Sequence, residues 1–257
     1  MNLTDEVKFE VAEDGIAVIT IDRPEQRNAI NAGVIAGLRQ AWLRLEGDAS
    51  LRVAILTASG DKAFCAGMDL KAAAAMKLKV PPRDMFPVLG DVIQISKPTI
   101  AAVNGVALAG GWLFAQMCDL CIAAEHATFG ITEAKVGRGM PWAAPLIHML
   151  PQRVMMEVLL TGRPISARRA LDLGYVNDVV PLAGLMERAI GMARDIATNA
   201  PLTVKAAREL VYLSTEMGRS AGLRAAHHLF ESVYLSEDAQ EGPLAFSEKR
   251  APRWKGR

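Results

Sequence analysis

Three short segments of this chain carry residue types that could do chemistry on a bound ligand. Residues 62–70 (KAFCAGMDL) and 104–111 (NGVALAGG) are rich in small residues, which let the backbone approach a ligand closely. Residues 127–133 (ATFGITE) end on Glu133, a carboxylate in a mostly apolar stretch. Desolvation raises a carboxyl pKa toward that of a useful base, so Glu133 is a candidate for proton transfer. A surface position is the alternative for an isolated glutamate.

Gly110 and Gly111 lie where an apolar strand is expected to turn into a helix. The first amides of a helix have no intrahelical acceptor and lie at its positive end. Free N–H groups there suit an anion or a developing oxyanion. A tight turn with close packing explains a glycine pair equally well, so the pair alone leaves both interpretations open.

Length, charge and cysteine content narrow the functional classes. The chain has 257 residues, of which 51% are hydrophobic and 22% charged. This length is sufficient to bury a large core in one large domain or two small ones. Its formal net charge of +1 lacks the basic excess that nucleic-acid binding needs. Three cysteines form no disulfide framework and favour a reducing compartment. The acidic N-terminus resembles neither a secretory signal nor a transit peptide, and we expect a cytoplasmic protein.

Two features that suggest other functions have simpler interpretations. Cys118 and Cys121 have the C-x-x-C spacing of redox and zinc sites, but they enter an apolar strand, where buried packing is favoured, and we expect no metal site. Residues 98–118 contain no charged side chain and approach the ~20 residues of a membrane span. Asn104, Gln116 and the internal glycines instead predict a strand, a tight turn and a buried helix.

The elements that must hold these segments follow an α/β pattern. Short β-branched runs alternate with longer helical segments, which is typical of parallel strands with helical crossovers. A run over residues 7–11 is expected to form a hairpin with the next strand through Asp14-Gly15. The further predicted strands are residues 16–22, 53–58, 99–103, 120–123 and 176–180. After these only helices are indicated, so we predict a sheet-containing core at residues 1–181 and a helical region at residues 182–257.

In this order and spacing, the segments resemble the signature motifs of the crotonase superfamily, also called the enoyl-CoA hydratase/isomerase family. The resemblance covers essentially the whole chain. It rests on residues 23–30 (RPEQRNAI), 64–70 (FCAGMDL), 101–111 (AAVNGVALAGG), 117–119 (MCD), 129–133 (FGITE) and 241–250 (EGPLAFSEKR).

The resemblance implies a fold and an assembly. Members of the family have repeated ββα units wound into a spiral, with a C-terminal helical region for trimerisation. We therefore expect an α/β chain of this crotonase-type architecture that forms a homotrimer or a dimer of trimers. No membrane and no nucleic-acid partner is expected.

The resemblance also implies a chemistry. The substrate would be an acyl-CoA thioester, converted through an enolate whose oxyanion is held by the backbone N–H groups of Met68 and Gly110. No cofactor beyond the coenzyme A moiety of the substrate is expected. Family precedent places six residues along the coenzyme A: Ala66, Asp69, Leu70, Gly111, Phe246 and Lys249. For Lys249, a solvated surface charge is the alternative.

At one catalytic position the chain departs from the hydratases that it resembles. Those hydratases use two glutamates, and alignment puts Leu113 at the first position and Glu133 at the second. Hydration needs a water held and deprotonated between two carboxylates, whereas one base can move a double bond. We therefore predict an enoyl-CoA isomerase-type enzyme with Glu133 as its only acid/base.

The acyl pocket is expected to differ as well. In residues 137–145 (GRGMPWAAP), proline and tryptophan replace the small residues common in hydratases, which predicts a drier pocket or one shaped for another acyl group. The predicted lining is Trp112, Leu113, Arg138, Met140 and Trp142. Arg138 could pair with a polar acyl tail or with Glu133, and a surface charge is the alternative.

Two other functions stay open. One is a hydratase in which some other group replaces the missing glutamate. The other is a non-catalytic acyl-CoA-binding homologue, against which the retention of Glu133 and of both glycine-containing segments argues.

Overall fold

Two sheets carry the strands of the chain. The computed structural model describes residues 1–69, 73–74 and 80–257. The strands described are β1 (Asn2–Thr4), β2 (Val7–Val11), β3 (Ile16–Ile21), β4 (Val53–Ala58), β5 (Ala63–Cys65), β6 (Thr99–Val103), β7 (Val106–Leu108), β8 (Leu120–Ala124), β9 (Thr128–Gly130), β10 (Ile165–Ser166) and β11 (Asp178–Val180). The larger sheet has the order β1-β2-β3-β4-β6-β8-β11, and the smaller sheet has the order β10-β9-β7-β5.

Helices lie on these sheets and make up the C-terminal part of the chain. The α-helices described are α1 (Ala32–Gly47), α2 (Gly110–Gln116), α3 (Gln152–Thr161), α4 (Ala167–Asp172), α5 (Leu185–Ala197), α6 (Pro201–Glu216), α7 (Arg219–Tyr234) and α8 (Asp238–Ser247). Short 3-10 helices lie at Glu13–Gly15, Pro24–Gln26, Glu133–Val136, Pro141–His148 and Leu182–Gly184.

Successive strand pairs place one strand in each sheet. β4, β6 and β8 lie in the larger sheet, and the strands that follow them, β5, β7 and β9, lie in the smaller one. These six strands pair in parallel within their sheets, with Ile55 opposite Ile100 and Ala107 opposite Phe129. Helix α2 follows β7 and completes a ββα unit. This repeat is the predicted crotonase-type α/β fold.

The larger sheet agrees closely with the strands predicted from the sequence. The predictions for residues 7–11, 53–58 and 99–103 match β2, β4 and β6 at both ends, and β2 pairs antiparallel with β3 as expected. β3 stops at Ile21, one residue early, and β8 extends to Ala124. β11 begins at Asp178, two residues later than predicted, and Val176 is buried in the main core.

The sequence predictions miss the smaller sheet entirely. β5, β7 and β9 have three residues each, and β10 has two. Alternation of polar and apolar residues cannot be recognised over so few positions. β5, β7 and β9 follow β4, β6 and β8 shortly along the chain, and the order of neighbours in the smaller sheet repeats the order in the larger one.

Both faces of the larger sheet are covered. All six residues of β4 are buried, as expected for a parallel strand between two layers. Ala54 and Leu56 face the main core, whereas Val53 and Ile55 face the side covered by α5. Fully burying an aliphatic side chain of this size stabilises a fold by about 1.5–3 kcal/mol. The strand is therefore a rigid support for the loop that follows it.

The charge-free run at residues 98–118 is divided between several elements. It contains β6 and the buried helix α2, as predicted, and between them the strand β7, which was not predicted. Across the described ranges, no helix has the length and apolarity that crossing a membrane demands.

Candidate active site

The loop after β5 is fixed by backbone hydrogen bonds on both sides of Met68. Ile30 N–H donates to the Gly67 carbonyl at 2.8 Å, and Asp69 N–H donates to the Ile30 carbonyl at 2.9 Å. In this parallel bridge the N–H of Met68 points away from Ile30. No acceptor for the Met68 N–H lies within the described residues. Within the described residues, the Met68 N–H is therefore a donor without an acceptor.

The start of α2 presents further free amides. Trp112 N–H and Leu113 N–H donate to the Ala109 carbonyl at 2.9 and 3.2 Å, but in the described chain the N–H groups of Gly110 and Gly111 have no acceptor. Ala109 itself has φ 51° and ψ −122°, an unusual conformation for a residue with a side chain. Its N–H donates to the Gly130 carbonyl at 2.8 Å, which holds the turn against β9.

Close contacts explain why glycines occupy this turn. A Cβ added to Gly111 would lie 2.0 Å from the Cys65 carbonyl oxygen, and one added to Gly110 would lie 2.7 Å from Ile30 Cδ1. A Cβ added to Gly67 would lie 3.7 Å from the Gly110 nitrogen. The loop that carries Met68 thus adjoins the start of α2. Two N–H groups without an acceptor among the described residues thus lie on adjoining loops, and backbone donors of this kind can hold an oxyanion.

Glu133 lies just beyond the carboxyl end of β9, and the start of α2 lies just beyond the carboxyl end of the parallel strand β7. β9 pairs with β7 in a register that puts Gly130 opposite Leu108, and Gly110 and Glu133 follow these strands. Glu133 begins a 3-10 helix and is only 8% exposed. The surface position considered for this glutamate is therefore excluded.

The two oxygens of Glu133 have different surroundings. Trp142 Nε1 donates to Oε1 at 3.1 Å. Oε2 is buried and has no hydrogen-bond partner in the part of the chain described. Burial raises the pKa of Glu133, while the nearby backbone N–H groups of Thr132 and Glu133 and the hydrogen bond from the Trp142 indole oppose that rise. A buried carboxylate with one free oxygen and a raised pKa is suited to proton transfer.

The predicted acyl-pocket residues occupy different depths. Trp112 and Leu113 are fully buried in the main core, and the Trp112 ring centroid lies 5.7 Å from that of Phe129. Met140 and Trp142 are half-buried against the same core. Arg138 is exposed, although its backbone N–H donates to the Glu133 carbonyl at 3.0 Å.

The residues predicted along the coenzyme A fall into two groups. Ala66 and Asp69 flank Met68, where Ala66 N–H donates to the Arg27 carbonyl at 3.1 Å and Asp69 pairs with Arg23 at 3.3 Å. Gly111 lies at the start of α2. Leu70 lies outside the described residues.

Phe246 and Lys249 lie apart from this group, at the C-terminal end of α8. Phe246 is 87% exposed, and Lys249 is exposed with φ 54°. Over the described ranges, no hydrogen bond joins either residue to Glu133 or Gly110. Both side chains are therefore open to solvent in the single chain.

Sequence reasoning missed the part that Gln116 plays in this site. Its side chain is buried, and Nε2 donates to the Trp142 carbonyl at 2.5 Å. Gln116 follows Leu113 by three positions, so the two lie on one face of α2. The sequence feature that could have indicated this role is the polar amide of Gln116 within an apolar run that contains no charged residue.

The three cysteines belong to the core. All are buried, and burial raises the pKa of the Cys65 and Cys121 thiols to about 12. Burial raises the pKa of the Cys118 thiol as well. Residues 1–69, 73–74 and 80–257 contain no cluster of three or more His, Cys, Asp or Glu side chains that could hold a metal ion.

Comparisons with known proteins agree on one family. The description "Enoyl-CoA hydratase/isomerase" belongs to the family profile that matches residues 11–257. The chain is 39% identical over 253 residues to an (E)-benzylidenesuccinyl-CoA hydratase of Thauera aromatica, spanning 94% of this chain and 96% of that protein. It is 42% identical over 254 residues to a carnitinyl-CoA dehydratase of Salmonella typhi, spanning 94% and 95%. The crystal structure of an enoyl-CoA hydratase from Mycobacterium tuberculosis H37Rv matches with a TM-score of 0.90 and 39% identity, over 98% of this chain and 99% of that one.

Proposed function

Because this chain belongs to the enoyl-CoA hydratase/isomerase family, we propose that it moves a double bond in an enoyl-CoA thioester through an enolate, with Glu133 as its only acid/base. The observation that carries this proposal is the buried Glu133 carboxylate, whose Oε2 has no partner among the described residues. Leu113 occupies the position where the hydratases that the chain resembles have their other acid. An alkyl side chain can neither accept a proton from a water nor orient it.

A 3-enoyl thioester is the substrate class that this site suits. Glu133 Oε2 takes a proton from C2, and the electron pair of that C–H bond passes into the conjugated thioester to give a dienolate. The same carboxyl group then returns the proton to C4, the double bond forms between C2 and C3, and the carboxylate is regenerated. No water is consumed, so one base is sufficient.

The enolate oxygen needs hydrogen-bond donors, for which we propose the backbone N–H groups of Met68 and Gly110. Their lack of acceptors in the described chain and the contact between their loops support this assignment. Donors fixed before the reaction stabilise the negative charge as it develops, and the loss of one typically costs about 3 kcal/mol of transition-state stabilisation.

The remaining residues are proposed to hold the two ends of the substrate. Ala66, Asp69, Leu70 and Gly111 would lie along the coenzyme A. Phe246 and Lys249, which are exposed in the single chain, would reach the coenzyme A of a neighbouring subunit in a trimer or a dimer of trimers. The acyl group would lie near Trp112, Leu113, Arg138, Met140 and Trp142.

A hydratase or dehydratase is the second candidate function. It is favoured by the names of the similar proteins, a (E)-benzylidenesuccinyl-CoA hydratase at 39% identity and a carnitinyl-CoA dehydratase at 42%. In this chain such a reaction would need another group to take the role of the missing glutamate.

Mass spectrometry of the products separates the two candidates. The purified protein is incubated with panels of 3-enoyl-CoA and 2-enoyl-CoA thioesters of different acyl length. Isomerisation leaves the mass unchanged and moves the double bond, whereas hydration adds the mass of one water. Addition of water to 2-enoyl-CoA without any double-bond movement would overturn the isomerase proposal.

A further inference from the structure

We propose that Trp142 is a positioning residue, which holds Oε1 of Glu133 through its indole N–H so that Oε2 is the oxygen that carries the proton. This inference rests on the proposed role of Glu133 as acid/base. It goes beyond that role by assigning the reacting oxygen of Glu133, Oε2, and the side chain that selects it, Trp142.

The hydrogen bonding of the Glu133 carboxylate is one-sided. Trp142 Nε1 lies 3.1 Å from Oε1, within the normal range for such a bond, and Oε2 has no partner in the described residues. A carboxylate that is held at one oxygen cannot exchange its two oxygens by rotation without breaking that bond. Oε2 is therefore held in one place, ready for the substrate.

Both members of this pair are anchored independently. The main chain of Glu133 accepts a hydrogen bond from Arg138 N–H at 3.0 Å, which closes the turn after it. The main chain of Trp142 accepts the bond from Gln116 Nε2 at 2.5 Å. Gln116 belongs to α2, the helix that begins at the proposed oxyanion donor Gly110. Hydrogen bonds through Trp142 and Gln116 thus connect Glu133 to the helix whose first residue is the proposed donor to the thioester oxygen.

An indole suits this task because it donates a hydrogen bond and accepts none. It stabilises the carboxylate form of Glu133 without competing for the transferred proton. In a site with two carboxylates, the second acid can also deprotonate a water, which an indole cannot do. The pairing of Trp142 with Glu133 therefore fits one-base proton transfer.

Among the described residues, no charged side chain supplies Glu133 with an alternative hydrogen-bond partner. Its pKa shift arises from burial, from backbone N–H groups and from Trp142, with no contribution from a charged side chain in the described chain. Titratable side chains also lie on the turn that begins at Glu133, on the 3-10 helix that contains Trp142, and on α3. All of them are exposed: Lys135, Arg138, His148, Arg153 and Glu157.

The first test observes the hydrogen bond in the ligand-free protein. The chain has four tryptophans, so four indole N–H signals are expected in the ¹⁵N NMR spectrum. One of them should shift with pH as Glu133 ionises, and that pH dependence should disappear in Glu133→Gln. Four signals that are independent of pH in the wild type would overturn the proposal, and this result needs no Trp142 variant to fold.

The second test is a matched pair of tryptophan variants. Trp142→Phe removes the indole donor, whereas Trp42→Phe removes a buried indole on α1 whose Nε1 has no partner in the described chain. Deuterium incorporation from heavy water into butanoyl-CoA and 3-hexenoyl-CoA reports proton transfer. We expect Trp142→Phe to lower kcat roughly 10- to 100-fold, the range for a misplaced catalytic group. Its kcat/KM should also begin to rise at a higher pH than in the wild type, and Trp42→Phe should change neither.

The outcomes separate this inference from the proposed function. If Glu133→Gln loses exchange while Trp142→Phe behaves like Trp42→Phe, Glu133 is the base and the positioning role of Trp142 is wrong. If Glu133→Gln exchanges protons as fast as the wild type, the proposed function itself fails, and the role of Trp142 in proton transfer fails with it.

Discussion

Arg208 on α6 forms an ion pair with Asp119, the residue that precedes β8. The Arg208 Nε to Asp119 Oδ1 distance is 2.8 Å, and both side chains are nearly buried, at 12% and 13% exposure. Thr99 donates to the other oxygen from its backbone N–H and its hydroxyl, at 2.8 and 2.9 Å. Asp119 thus joins β6 to a C-terminal helix, which gives the aspartate of the MCD motif a structural role.

Asp119→Ala should therefore destabilise the protein strongly. It leaves the Arg208 guanidinium without its partner in a nearly buried position, and breaking such a pair typically costs about 3–5 kcal/mol. Asp172→Ala is the matched control, because its ion pair with Arg168 is exposed and should contribute about 0.5 kcal/mol or less. Chemical denaturation of both variants provides the measurement, and equal losses of stability would contradict this account of Asp119.

Gly111→Ala should disrupt the start of α2. Its new Cβ would meet the Cys65 carbonyl oxygen at 2.0 Å, so the helix must move away from the loop that carries Met68. We expect a lower melting temperature and at least a tenfold loss of turnover. Gly191→Ala is the control, because a Cβ there meets nothing within 4 Å and lies inside α5. This change inside a helix should stabilise the protein by about 0.5–1 kcal/mol. A harmless Gly111→Ala would show that the close approach does not matter.

Activity and stability should respond to pH in opposite directions. Burial raises the pKa of Glu133 above its ordinary value of 4.5, so the folded protein binds this proton more tightly than the unfolded chain does. Stability then falls as pH rises from that ordinary value through the raised pKa. Over the same window kcat/KM should rise, because the ionised carboxylate is the base.

Glu133→Gln isolates this effect. The variant cannot ionise at position 133, so its melting temperature relative to wild type should increase with pH across that window. Its rate of deuterium incorporation should be lower by at least ~10²-fold at pH values above the raised pKa of Glu133, the low end for loss of a general base. A constant difference in melting temperature across pH would contradict the contribution of Glu133 to stability.

The C-terminal helices should mediate assembly. Leu223, Tyr234 and Leu235 on and after α7, and Phe246 on α8, are at least half exposed in the single chain. Together with the family's trimers, this exposure predicts a trimer or hexamer at micromolar concentration. Light scattering measures the mass, and Leu235→Glu should shift the protein toward smaller species. A monomer with full activity would exclude both the assembly and the shared coenzyme A site.

The sequence predicts this fold best where a strand is a continuous apolar run of five or six residues. β4 is a run of six buried residues, VAILTA, and both of its ends are predicted correctly. β5, β7 and β9 are too short to show a period, so the smaller sheet becomes visible only in three dimensions. Glu133 is recognisable from its motif. Its bond to Trp142 is not, because it depends on the path of a glycine-containing turn between the two residues.

Leu113→Glu is the strongest test of why this site would favour isomerisation. Leu113 is buried, so a carboxyl group there should destabilise the protein by several kcal/mol if it ionises without a partner. If the site geometry is retained, the added carboxylate and Glu133 could hold a water between them. We then expect measurable hydration of 2-enoyl-CoA, detected by mass spectrometry as addition of one water.

Leu113→Met serves as the control, because it changes shape slightly and adds no charge. Leu113→Glu combined with Trp142→Phe should hydrate 2-enoyl-CoA more slowly than Leu113→Glu alone, because the double variant also frees Oε1 of Glu133 from its hydrogen bond to the Trp142 indole. If Leu113→Glu matches Leu113→Met in stability and in products, residue 113 does not face the reacting atoms, and the absence of a second acid does not explain the reaction.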